Sequence, residues 1–139
     1  MKINPYLNFN GNCAEAFDLY AKVLRGKDLN VMTFGQMPPG AGQISESEKK
    51  MVAHARFTVG GDTIMGSDAP GERYNKPQGY AVNISVDTPE EADRIFAALA
   101  DGGNVGMPIV ETFWAKRFGM VTDRFGTHWM VNCEKAMTH

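Results

Sequence analysis

One unit is written twice in this chain, and a duplicated unit constrains the fold more than any single motif does. Phe57 to Ser67, FTVGGDTIMGS, runs as strand, glycine turn and strand, and the same pattern returns 65 residues later. Gly61 then falls on Gly126, Ile64 on Trp129 and Met65 on Met130. Two helical stretches repeat at an offset of 76: Ala16, Leu19, Tyr20 and Val23 match Ala92, Ile95, Phe96 and Leu99, and Gly26 matches Gly102. Each half reads as strand, helix, strand, strand, strand, because the apolar period switches from 2 to 3.6 and back.

The elements follow from local chemistry. Ile3 to Phe9 alternates polar and apolar residues, as a half-buried strand does. Asn12 is placed to cap the first helix, Glu15 to complete a capping box, and Gly26 to end it. Residues 28–35 read as a strand. Gln36 to Lys50 has no periodicity and reads as an exposed loop, its length suiting a lid or a recognition loop and at least as well an uninvolved mobile loop. From Met51 to Val59, alternation sets Met51, Ala53, Ala55, Phe57 and Val59 on one face, and Val52, His54, Arg56 and Thr58 on the other. Tyr80, Val82, Ile84 and Val86 share a face opposite Ala81, Asn83 and Ser85. The second helix has the clearest start signal, with Thr88 as cap, Pro89 at the first helical position and Glu91 three residues past the cap. In the last hairpin, Asp123 and Gly126 serve the turn. Repeat one spans about residues 1–68, a connector 69–79, and repeat two about 80–135, within one domain of 139 residues.

Composition enters by exclusion. A formal charge of −2 with no basic stripe gives no footing for nucleic acid. No apolar run approaches the roughly 18 residues of a membrane span, and MKINPYLNFNGN lacks the apolar core of a signal peptide. Cys13 and Cys133 form no CxxC pair and fit a reducing compartment, so the chain is expected to be cytoplasmic. They read as unremarkable thiols, although Cys13, in the first turn of a helix, sits where a thiol pKa can be lowered.

The segments YLNFNGNCAEAFDLY, VAHARF, IMGSD, GGNVGMPIVETFW and RFGMVTDRFGTHWMVN resemble the PhnB-like branch of the vicinal oxygen chelate superfamily. That superfamily includes glyoxalase I, ring-cleaving dioxygenases and bleomycin-resistance proteins, and the resemblance covers essentially the whole chain. It implies an α+β fold in which two βαβββ repeats form a curved, cup-like mixed sheet with helices on the outer face. A homodimer is implied too. The branch often carries a 3-demethylubiquinone methyltransferase label. Nothing in this sequence resembles the Gly-rich turn that would hold S-adenosylmethionine, and no cofactor is expected.

Within such a cup the polar face of each strand lines the interior. The candidate ligand-binding residues are Tyr6, Asn8, His54, Arg56, Thr63, Met65, Ser67, Asn83, Trp114, His128 and Met130. Metal-dependent members take one ligand from each of four strands. Carried over by position, those places hold Asn4 (or Pro5, depending on a one-residue gap), Met65, Ala81 and Met130. None is a histidine or a carboxylate, and a thioether is a poor ligand for a hard ion, so no metal is expected. A rebuilt site would need His54 and His128 joined by Asp68 or Glu111. His139, at the last position, is expected to be disordered.

The residues therefore support a small-molecule binding protein with a metal-free cup and no established reaction. The alternative is an enzyme, glyoxalase-like or an isomerase or lyase, using His54 or His128 as acid and base or as ligands of a rebuilt metal site. Arg56, two residues from His54 on the same face, hints at an anion. Trp114, Phe113, Phe118, Phe34 and Tyr6 could stack on a flat ligand, but serve as well in the core or a subunit contact.

Overall fold

The computed structural model describes residues 1–38, 45–69 and 71–136. His139 and residues 39–44 of the long loop lie outside the described residues. The chain divides into two compact units, residues 1–76 and 77–139.

In the first unit, β1 (Tyr6–Phe9), α1 (Cys13–Val23), β2 (Lys27–Thr33), β3 (Val52–Val59) and β4 (Asp62–Asp68) follow in the order read from the repeat. The sheet order is β1-β4-β3-β2, with β1 parallel to β4 and the other pairs antiparallel. One face of this sheet is covered by α1. Leu7, Phe9, Ala55, Phe57 and Ile64 are buried there with Phe17 and Tyr20 of the helix. Phe17 stands edge-on to Phe57 and to Phe9, ring centroids 5.7 and 6.0 Å apart. The long loop carries short 3₁₀ turns at Phe34–Gln36 and Glu48–Lys50.

The second unit repeats the plan. β5 (Val82–Ser85), α2 (Pro89–Ala100), β6 (Asn104–Val110), β7 (Ala115–Thr122) and β8 (His128–Glu134) give the sheet order β5-β8-β7-β6, again with its first pair parallel. Ala92, Ile95, Phe96 and Leu99 of α2 are buried with Val121, Trp129 and Val131. Gly119 lets α2 approach: a Cβ there would lie 2.7 Å from the Phe96 ring. Among the described residues no helix is long and apolar enough to cross a membrane.

Three local expectations are corrected. Asn12 makes no side-chain cap hydrogen bond; the Cys13 N–H is taken instead by Asp68 Oδ1, at 3.1 Å. Gly26 does not supply the left-handed residue after α1, since that conformation falls on Arg25 (φ 57°). Its hydrogen is needed because a Cβ at position 26 would lie 2.4 Å from Cδ2 of Phe57. Val52 is buried rather than facing outward with His54. The cause is a register shift: Thr33 pairs with Val52 but Met32 with His54, so one extra residue of β3 reverses the alternation there.

Candidate functional site

Each sheet has one face under its helix and one open face, and the open faces carry the candidates. In the first unit, neighbouring strands set Tyr6, Met65, Arg56 and Asn30 in one row. A second row holds Asn8 opposite Ser67, with His54 opposite Met32. Thr63 pairs with Thr58 beyond them. Thus Tyr6, Asn8, His54, Arg56, Thr63, Met65 and Ser67 share one surface, on strands whose alternate residues Leu7, Phe9, Ala55, Phe57 and Ile64 are buried. Tyr6 lies against His54 with ring centroids 6.0 Å apart.

In the second unit the corresponding rows are Asn83, Met130, Met120 and Met107, then Ser85, Asn132, Phe118 and Val110. His128 pairs with Thr122 at the hairpin end. An open recess of about 480 Å³ is lined by Gln78, Gly79, Tyr80, Ala81, Met120, His128 and Met130. Of these only His128 and Met130 were among the sequence candidates. Tyr80 was expected on the apolar face with Val82, but β5 begins only at Val82 and Tyr80 is 58% exposed. Met120 could have been found, because counting back from the Gly126 turn sets it opposite Met130.

Trp114 stands just before β7, edge-on to Phe113 and Phe118 at 4.8 and 5.4 Å. Two nearby cations are engaged elsewhere: Arg117 Nε reaches Asp93 of α2 at 3.1 Å, and Lys135 reaches Glu111 at the same distance. Asn132 is buried, and its Oδ1 has no hydrogen-bond partner among the described residues.

The two candidate histidines differ. His128 Nε2 lies 2.8 Å from the Pro77 carbonyl and so donates to it, and Nδ1 lies 2.7 Å from Thr122 Oγ1. In the neutral ring, Nδ1 accepts the Thr122 hydroxyl. Both nitrogens are thereby engaged in holding the connector to the hairpin. His54 is half-buried, and among the described residues its ring nitrogens make no hydrogen bond.

The buried carboxylates are structural. Asp68 Oδ1 accepts the N–H groups of Gly11 and Cys13 at 2.9 and 3.1 Å, and Oδ2 accepts that of Val52 at 2.8 Å. Asp123 takes the same part in the last hairpin, accepting from Phe125 N, Thr127 N and Trp129 Nε1. Asp68 is thus unavailable to complete a metal site with histidine, Glu111 is exposed and paired with Lys135, and among the described residues no three His, Cys, Asp or Glu side chains converge. Cys13 is corrected as well. Burial first, and then the Asp68 carboxylate, push its thiol up to about 12, the opposite of what activates a thiol.

The register also chooses between Asn4 and Pro5 for the first of the four positions that the resemblance implies. Tyr6 pairs with Met65 as Asn83 pairs with Met130, so stepping back two residues from each sets Asn4, not Pro5, in the place of Ala81. An amide, an alanine and two thioethers do not fit a hard divalent ion.

Residues 1–132 match the family described as 3-demethylubiquinone-9 3-methyltransferase, and the chain belongs to that family, the PhnB-like branch of the vicinal oxygen chelate superfamily. Its two βαβββ units are the glyoxalase/bleomycin resistance fold. Among individual proteins, it is 45% identical to protein PA1353 from Pseudomonas aeruginosa, whose crystal structure superposes with a TM-score of 0.86 over 98% of this chain and 99% of that one. Protein YjdN of Escherichia coli is 37% identical, over 97% of each chain. A putative 3-demethylubiquinone-9 3-methyltransferase, PhnB protein, from Bacillus cereus is 25% identical, with a TM-score of 0.70 over 96% and 99%.

The family's description implies S-adenosylmethionine, and neither strand-to-helix turn offers it a cradle of free backbone N–H groups. The turn from β1 into α1 is where backbone N–H groups could cradle such a group, but those of Gly11 and Cys13 are given to Asp68. At the turn into α2, the Glu91 N–H is given to Thr88 Oγ1, and Pro89 has none to offer.

Proposed function

We propose that this chain is a small-molecule binding protein in which the open sheet face of each unit, taken by itself, offers a ligand surface without a resident metal. The observation that carries the reading is the chemistry of those faces. Tyr6, Asn8, Arg56 and Ser67 in the first unit, and Asn83, Met120, Met130 and Tyr80 in the second, offer hydrogen bonds, a cation and polarisable apolar contact. The inherited metal positions offer no hard-ion donor set. Few polar groups set on a rigid sheet beside thioether and aromatic surface is the usual make-up of a ligand site.

The protein acts in the cytoplasm as a homodimer. Two free, buried cysteines support a reducing compartment. Two four-stranded sheets, each ending in edge strands, support a partner that pairs with an edge. An acid–base reaction on the same face is the second reading, favoured by one observation: the His54 ring carries no hydrogen bond among the described residues, so a nitrogen lone pair is open to substrate.

Thermal-shift screening of chelator-treated protein against a metabolite library tests the binder reading. The expected result is at least one saturable ligand whose binding survives the chelator and is lost in Tyr6→Ala or Met130→Arg. Binding that appears only on adding a divalent ion overturns it.

A further inference from the structure

We infer that the open face of the first unit is an oxyanion subsite, in which Arg56 holds a carboxylate or phosphoryl group beside His54 and Tyr6. This rests on the small-molecule reading and narrows it to a ligand bearing a negative group. Three observations converge.

The first is charge without a partner. Arg56 and His54 are two residues apart on β3, so both stand on the open face, about 6.6 Å apart along the strand. Among the described residues neither forms an ion pair. At the registered open-face positions of β1, β3 and β4, namely Tyr6, Asn8, His54, Arg56, Thr58, Thr63, Met65 and Ser67, there is no Asp or Glu. Asp68 faces the covered side, and its oxygens are spent on Gly11, Cys13 and Val52. In a chain with a formal charge of −2, these positions of β1, β3 and β4 carry one formal cation, Arg56, and no carboxylate.

The second is donor geometry. Guanidinium is a planar fork matched to a two-oxygen edge. His54 and the Tyr6 hydroxyl can donate to the same oxygens, and the Tyr6 ring braces that of His54 at 6.0 Å. Asn8 and Ser67, paired across β1 and β4, border the place with neutral donors.

The third comes from the duplication. Met65 and Met130 hold equivalent places. The residue opposite Met65 on the next strand is Arg56, and the residue opposite Met130 is Met120. By the same register Phe118 stands where His54 does. The copies differ on one strand: β3 sets Arg56 and His54 where β7 sets Met120 and the buried Phe118, while both faces keep neutral polar residues on the flanking strands. A binding surface indifferent to charge has no reason to separate these chemistries between its copies.

The test follows the His54 imidazole by NMR in the full chain during titration with inorganic phosphate and, separately, with acetate. The expected result is a saturable shift of the His54 ring signals with one or both anions, the His128 signals unmoved. Arg56→Gln should weaken that response by roughly tenfold or more, the usual worth of a charge-assisted hydrogen bond, and Arg56→Lys should retain part of it. Saturation by phosphate alone assigns a phosphoryl group, by acetate alone a carboxylate, and by both a simple oxyanion. Absence of a saturable response, or one equal in Arg56→Gln, overturns the inference. A neutral metabolite bound with no anion response sinks this inference while the binder reading stands; failure of every library compound sinks the binder reading itself.

Discussion

Asp68 Oδ1 accepts the backbone N–H of Cys13 at 3.1 Å, so the start of α1 is held by a carboxylate that follows it by 55 residues. The same side chain also holds Gly11 and, through Oδ2, Val52. It ties β1, α1, β3 and β4 at one point. Replacing it with alanine leaves three N–H groups, two of them buried, without acceptors, and we expect Asp68→Ala to cost about 3 kcal/mol or more. Asp68→Asn, which keeps one good acceptor, should cost less. Urea unfolding measures both, and a midpoint unchanged in Asp68→Ala contradicts this role.

Cys13 should be inert in the folded protein. Its thiol is raised to about 12 from an ordinary 9.0, by burial and then by Asp68. A neutral disulfide reagent at pH 8 should label it only on unfolding. Because the folded-state value lies above the unfolded one, the contribution of this thiol is intact below about pH 9 and declines as pH climbs towards about 12, at up to roughly 1.4 kcal/mol per pH unit. Other groups titrate in the same window, so the measurement is the difference in slope between the native chain and Cys13→Ala. Equal slopes exclude the effect.

His128 is expected to fasten the connector, since it donates to the Pro77 carbonyl and meets Thr122. In His128→Ala, hydrogen exchange at residues 78–81 should accelerate, with a stability loss of about 1 kcal/mol. Exchange unchanged in that segment contradicts the fastening role.

Gly26→Ala should destabilise the first unit by about 1–3 kcal/mol through overpacking, because the added Cβ meets the Phe57 ring. Combining it with Phe57→Leu should recover part of that loss in thermal unfolding. Additive losses would mean that the clash is not with Phe57.

The duplicated architecture was legible because strand alternation and helical spacing are local signals repeated at fixed offsets, and the open-face positions of Tyr6, Asn8, His54, Arg56, Met65 and Met130 follow from that alternation. What escaped depends on residues distant in sequence. Asn12 has the composition of a cap, yet Asp68 has the position. Val52 obeys simple parity until the register shift beside it, and nothing in MVAHARF announces that shift. The recess formed by Gln78, Gly79, Tyr80 and Met120 needs the connector folded back by His128, a contact across 51 residues.

The proposed ligand site needs no resident metal, because Asn4, Met65, Ala81 and Met130, at the positions the resemblance implies, offer no hard-ion donors. Elemental analysis of the native protein after gel filtration, without chelator, tests it most directly. Zinc, nickel, iron and manganese should each be far below one atom per chain, with the same profile for Met65→Ala. One tightly held equivalent of any of these metals contradicts it.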